Sequence, residues 1–170
     1  KLICIPGNAG TNNLAENIKE DISNFEAIYK IVLNRKIDMV VIGPEQPLVD
    51  GLTDYLGKKK IKVFGPSKNA SQLEGSKAFM KNLCKKNNIP TANFGIFKRI
   101  DEVNIFIKKN KMPIVVKADG LAAGKGVSIC STKNEAFTKA KEILDGKFKS
   151  SNQVILEEFL EGEELSYFAI

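Results

Sequence analysis

The sequence predicts an α/β protein: an incomplete parallel-sheet domain followed by a small α+β lobe. Three observations carry this. Short apolar segments alternate with stretches of helical spacing. Met39-Val40-Val41-Ile42 is apolar without interruption, as in a parallel strand covered on both faces. Turns rich in Gly and Pro close the strands at their C-terminal ends, where open parallel sheets place ligands.

The elements follow in order. Residues 1–5 read as a strand already under way, and Pro6-Gly7-Asn8-Ala9-Gly10 turns the chain. Phe25, Ile28, Tyr29 and Val32 recur at helical spacing, with Ser23 or Asn24 placed to cap. The strand at 39–42 ends at Gly43-Pro44-Glu45-Gln46-Pro47. A helix through Leu48, Leu52 and Leu56 leads to a strand at 62–64, closed by Gly65-Pro66. A helix is expected over 77–86, with Phe79, Met80, Leu83 and Cys84 on one side. The polar, proline-broken stretch 87–91 reads as a boundary. Val103, Phe106 and Ile107 share one face of a short helix. Strands at 114–117 and 126–130 flank a glycine loop as a hairpin. Thr132 and Glu135 have capping-box spacing before a helix with Phe137, Ala140 and Leu144, ended by Gly146. Residues 154–156 form a further strand. We expect an N-terminal α/β domain over 1–76, a helical linker over 77–94 and the small lobe over 95–170. Residues 165–170 are strand-like, so a fragment cut inside secondary structure at both ends is expected.

Composition narrows the function classes. The 170 residues are 43% hydrophobic and 27% charged, as in ordinary globular domains. No apolar run approaches the roughly 18 residues of a membrane span. Cys4, Cys84 and Cys130 are isolated in apolar contexts, without zinc-pair or disulfide spacing, which suits a reducing cytoplasm. The absence of histidine excludes His-based triads and His metal sites from this chain. The net charge of +6 comes from dispersed lysines, with only Arg35 and Arg99 as arginines. The tightest group, Lys58, Lys59, Lys60 and Lys62, follows a predicted helix and reads as solvated surface, not a nucleic-acid footprint.

The chemistry concentrates in the second half. Lys117 ends the apolar run Ile114-Val115-Val116, and Gly120, Gly124 and Gly126 follow. A loop that covers phosphates needs residues without Cβ, so backbone N–H groups can approach the oxygens; a plain hairpin turn has the same composition. No helix opens after these glycines, so the spacing fits neither the P-loop nor the dinucleotide fingerprint. A partly buried Lys117 needs an anion, either a polyphosphate or a carboxylate such as Asp119. Lys77 lies in the first turn of its helix, against the dipole, a mismatch that a bound anion would relieve. Glu157-Glu158-Phe159-Leu160 ends a strand whose backbone can pair with an adenine edge while Phe and Leu pack on its face. A turn through Gly162 could return Glu164 to ribose hydroxyls; a solvated acidic loop is the alternative.

Taken in order, these motifs resemble the ATP-grasp superfamily and, within it, the glycinamide ribonucleotide synthetase (phosphoribosylamine–glycine ligase) family. The likeness spans nearly the whole chain. It is most specific at Gln72-Leu73-Glu74-Gly75-Ser76-Lys77-Ala78-Phe79 and at 117–127. Pro6-Gly7-Asn8-Ala9-Gly10-Thr11 and Gly43-Pro44-Glu45-Gln46-Pro47-Leu48-Val49 separate this family from other ATP-grasp ligases. The resemblance implies a Rossmann-like preATP-grasp domain ahead of the small ATP-grasp lobe. It also implies the ligation of glycine to 5-phosphoribosylamine through glycyl phosphate, with ATP and Mg²⁺ or Mn²⁺. By position, Lys77 and Lys117 would contact phosphates, and Gly120 to Gly126, with Lys125, would form a mobile cover. Glu157, Glu158, Phe159 and Leu160 would hold adenine, and Glu164 the ribose. Pro6, Gly7, Asn8, Gly10, Gly43, Pro44, Glu45, Pro47 and Leu48 would line the phosphoribosylamine site. The metal and glycine ligands are expected beyond Ile170, and a first strand with its glycine-rich loop before Lys1, so the 170 residues alone are expected not to turn over. Small-molecule partners and a cytoplasmic setting follow, with neither nucleic acid nor membrane. The alternatives are another ATP-grasp carboxylate–amine ligase, a non-catalytic nucleotide-binding module and a basic nucleic-acid binder.

Overall fold

A computed structural model describes residues 1–122, 124–149 and 151–167. The chain divides into two compact units, Lys1–Gly75 and Ser76–Ile170.

The first unit holds strands β1 (Ile3–Cys4), β2 (Glu16–Asn17), β3 (Val40–Val41) and β4 (Val63–Phe64), and helices α1 (Phe25–Asn34), α2 (Glu45–Asp50), α3 (Leu52–Lys58) and α4 (Gln72–Gly75). β1 pairs with β2 and β3 with β4, both parallel. The strands expected to share one sheet thus form two separate pairs among the described residues. An apolar cavity of about 390 Å³, lined by residues from β1, α1 and β3, opens beside them. Met39 and Val41 are exposed, so the continuous apolar strand is not covered on both faces as its sequence predicts. Asn24 is the α1 cap, its side chain accepting from the Ala27 N–H at 3.2 Å. The single helix expected through Leu48 and Leu56 is two, because Gly51 at φ 101° ends α2 before α3 begins. Ile28, Val32, Ile42, Leu52 and Leu56 form the core. Lys59 is not simply solvated: its ammonium lies 4.4 Å from the Tyr29 ring centroid and 5.2 Å from that of Tyr55.

The second unit contains α5 (Lys77–Lys86), β5 (Phe94–Phe97), α6 (Ile100–Lys109), β6 (Ile114–Ala118), β7 (Val127–Cys130), α7 (Lys133–Glu142) and β8 (Val154–Glu158). Its antiparallel sheet has the order β5-β8-β6-β7, so the predicted hairpin β6–β7 forms one side. β5 escapes the sequence pattern because Gly95 interrupts its apolar run. β6 alternates, with Ile114, Val116 and Ala118 buried in the core with Val103, Ile107 and Ala140. Thr132 caps α7, accepting from the Glu135 N–H at 3.2 Å, while the Glu135 carboxylate accepts from the Ser131 N–H at 3.0 Å. The regular helix stops at Glu142, and a wider turn runs on to Lys147 with Gly146 at φ 94°.

In α5 the buried positions are Ala78 and Lys81, while on the apolar side Phe79 and Leu83 are 38% and 37% exposed. The strand expected at 165–170 does not appear at 165–167, where Leu165 and Tyr167 are exposed and pair with no strand among the described residues; residues 168–170 lie outside the described residues. No helix among the described residues is long and apolar enough to cross a membrane.

Candidate functional site

In the second unit, the register of the sheet places Lys117 and Glu157 together. Val115 lies opposite Glu157, and Lys117 opposite Ile155. Lys117 and Glu157 are therefore diagonal neighbours on the face turned away from the core. The Lys117 ammonium reaches Glu157 Oε2 at 2.9 Å. A second lysine, Lys81 on α5, reaches the same oxygen at 2.9 Å. Of the two alternatives left open for Lys117, the anion present is a carboxylate, and it is Glu157 rather than Asp119. Lys81, Lys117 and Glu157 together carry one net positive charge, and the Lys81 charge also acts on the Glu158 carboxyl. Glu157 Oε1 is buried without a hydrogen-bond partner among the described residues.

Asp119 has a different task. Its carboxylate accepts from Ser76 Oγ at 3.1 Å, from the Ala78 N–H at 3.2 Å and from Gln153 Nε2 at 2.6 Å. The Ser76 hydroxyl in turn accepts from the Phe79 N–H at 3.1 Å. The anion expected at the start of α5 is thus the protein's own carboxylate. Burial pushes the Asp119 carboxyl up. Hydrogen bonds from Gln153, the Ala78 and Gly120 N–H groups and Ser76 outweigh that and hold it below the usual carboxylate range. The Asp119 N–H donates to Ser151 Oγ at 2.9 Å, tying β6 to the approach of β8. Lys77 turns its ammonium onto the Gly120 carbonyl at 2.9 Å, where the glycine loop begins.

That loop is shaped by close approach. A Cβ on Gly126 would sit 2.7 Å from the Ala122 Cβ and 3.2 Å from that of Ala118, so a side chain there would push the loop off the strand. Gly120 and Gly124 adopt φ 79° and 75°. Lys125 is exposed, and position 123 of the expected cover lies outside the described residues. At the end of β8, the Glu158 carboxylate accepts from the Asn93 backbone N–H at 2.9 Å and its side-chain amide at 3.0 Å. Those bonds hold the Glu158 carboxyl below the usual carboxylate pKa range and close the β5–β8 pair. Phe159 and Leu160 are exposed, 37% and 64%. Glu164 is also exposed, with no ion pair among the described residues.

In the first unit, the loop after β1 is a local network. The Asn8 N–H donates to Thr11 Oγ1 at 2.8 Å, and the Thr11 N–H to Asn8 Oδ1 at 3.0 Å. Asn17 reaches in from β2, donating to the Asn8 carbonyl at 2.9 Å and lying 2.9 Å from the Thr11 hydroxyl. Gly7, at φ 74°, packs on that amide so closely that a Cβ would meet Asn17 Cγ at 2.2 Å. Pro6, Asn8 and Gly10 are exposed. Gly43, Pro44 and Glu45 are exposed at the start of α2, whereas Pro47 is buried and Leu48 packs against the core of the unit. The last two hold the helix in place.

Lys81, Asn17, Ser151 and Gln153 carry these arrangements, and sequence reading did not single them out. Lys81 lies one turn after Lys77, a spacing that puts both on one helix face; the apolar Phe79 and Leu83 masked that signal.

A two-layer lobe with an antiparallel sheet, a lysine-bearing helix and a glycine hairpin over a strand-end lysine defines an ATP-grasp architecture. Residues 75–170 match the family model described as phosphoribosylglycinamide synthetase, ATP-grasp (A) domain, and residues 1–74 match the N domain of the same synthetase. The chain belongs to the phosphoribosylglycinamide synthetase family. It is 46% identical to a phosphoribosylamine–glycine ligase of Mesorhizobium japonicum, covering 100% of this chain and 40% of that protein. It is 47% identical to the chloroplastic phosphoribosylamine–glycine ligase of Arabidopsis thaliana, covering 99% of this chain and 33% of the relative. The crystal structure of the Thermotoga maritima phosphoribosylamine–glycine ligase superposes with a TM-score of 0.75 at 33% identity, covering 95% of this chain and 38% of that one. The chain thus spans about 40% of the length of the bacterial relative.

Proposed function

We propose that the protein ligates glycine to 5-phosphoribosylamine at the expense of ATP, giving glycinamide ribonucleotide, ADP and phosphate, in the cytoplasm. One observation carries this: two lysine ammoniums converge on a single carboxylate oxygen beside a glycine-rich hairpin, in a family whose curated members are named for that ligation. The excess positive charge suits a polyphosphate, and the uncrowded, positive-φ Gly124 lets backbone approach one.

In this reading Lys117 and Lys77 neutralise ATP phosphates, Lys77 first leaving the Gly120 carbonyl. The loop 120–126, with Lys125 at its tip, excludes water, and Glu157, Glu158, Phe159 and Leu160 receive the adenine. Glu164 binds the ribose. Pro6, Gly7, Asn8, Gly10, Gly43, Pro44 and Glu45 line the phosphoribosylamine site, with Pro47 and Leu48 behind them. ATP supplies the γ-phosphoryl group that glycine's carboxylate takes up as ADP leaves. The phosphoribosylamine nitrogen then attacks the acyl carbon, phosphate departs, and the nitrogen sheds a proton. Shielding the acyl phosphate from water and neutralising developing charge are what the protein must contribute. No group of three or more Cys, Asp or Glu among the described residues is placed to hold a divalent cation, so no metal ligand is assigned to them.

Lys117→Ala in the full-length protein tests the reading. Losing a charge-assisted hydrogen bond costs about 1.5–3 kcal/mol, so ATP binding should weaken roughly 10- to 150-fold. Unchanged ATP kinetics would remove the phosphate role. A preferred acid other than glycine would move the protein to a different ATP-grasp ligase.

A further inference from the structure

Lys81 is the buried charge that the proposed reaction leaves without a task. Its side chain is only 4% exposed, against 25% for Lys117. Its ammonium lies 2.9 Å from Glu157 Oε2, 2.7 Å from Thr91 Oγ1 and 5.5 Å from the Phe94 ring centroid. Two of its three N–H donors have acceptors within the protein, and the side chain is nearly closed to solvent. Among the described residues, Lys117 has the same carboxylate oxygen as its one hydrogen-bond partner, and its side chain is partly open.

This asymmetry defines two kinds of counter-ion. A lysine that leaves a buried carboxylate for a phosphate normally orphans that carboxylate, which is strongly unfavourable. Here the carboxylate keeps a second cation. We infer that Lys81 is a positioning residue, the permanent counter-ion of Glu157, which makes Lys117 exchangeable between the carboxylate and a nucleotide phosphate. The inference rests on the nucleotide reading above. It assigns Lys81 no contact with the nucleotide and predicts that its effect passes through Glu157.

Titrating the full-length protein with ATP by calorimetry tests this. Wild type should bind. Lys81→Met, confirmed folded by circular dichroism, should bind on the order of tenfold more weakly or worse, because Lys117 is then the only cation on Glu157. In a Glu157→Gln background the same substitution should change affinity by less than about twofold, since a neutral side chain needs no counter-ion. An equal loss in both backgrounds, or no loss in the wild-type background, would overturn the inference. Should Lys81→Met not fold, the wild-type crystal structure with a non-hydrolysable ATP analogue decides. Lys117 should have left Glu157 for a phosphate while Lys81 stays in place; Lys117 still on Glu157 with the analogue bound would sink the exchange. Wild type that binds no ATP would instead refute the nucleotide reading itself.

Discussion

The two units hold their candidate residues by different means. In the first, Asn8, Thr11 and Asn17 bond across separations of three to nine residues. In the second, Ser76 meets Asp119 across 43 residues, Lys117 meets Glu157 across 40, and Gln153 meets Asp119 across 34. A short loop that ties itself together needs little more than its own residues and one neighbouring strand. A charged cluster assembled from a helix and two strands exists only once the sheet is in register, and its integrity is a property of the whole unit. The cluster is therefore the more sensitive to distant change.

The largest effect should come from the long-range cluster. Asp119→Ala leaves the Ala78 N–H and Gln153 without their acceptor inside the unit, and should cost about 3 kcal/mol of stability in urea denaturation. Hydrogen exchange should then rise across β6, β8 and α5 together, while protection in α1 and α3 is unchanged. A loss confined to the start of α5 would mean the cluster is not a unit-wide device.

Gly7→Ala should cost about 2 kcal/mol, from left-handed strain and displacement of the Asn17 amide, with exchange altered only around β1, β2 and the loop between them. Spread into α3 would break the contrast between local and long-range construction.

Acid should sharpen it. Because hydrogen bonds hold the Asp119 carboxyl below its usual range, its contribution is fully present above the unfolded value of about 3.9 and is lost as pH falls through the lower folded value. The stability gap between wild type and Asp119→Asn should stay level above about pH 5 and narrow below about pH 4; a gap that widens in acid would contradict the assigned cause.

The smallest effects belong to the helix caps. Asn24→Ala and Thr132→Ala should each cost about 1 kcal/mol, and the two should be alike, since capping is local in either unit.

Much of the frame was legible. The helix at 77–86, the hairpin around the glycines and the cap at Thr132 follow from spacing and turn chemistry. What escaped has identifiable causes. Gly51 broke a helix that apolar spacing alone ran together. Gly95 hid β5. The apolar spacing of α5 did not show that Lys81, on the other side, is the buried position, because its carboxylate lies on β8. Residue type marked Lys117 as a lysine in want of an anion, but not which one.

By itself, the sequence determined the kinds of element, their order, the glycine hairpin and the family likeness, because those depend on residues close together along the chain. The tertiary structure alone decided that Lys81 and Lys117 share Glu157, that Asp119 caps α5, and that Pro47 and Leu48 face inward. Such partnerships depend on strand register and on which helix face meets the sheet. Both are settled by the packing of the whole unit.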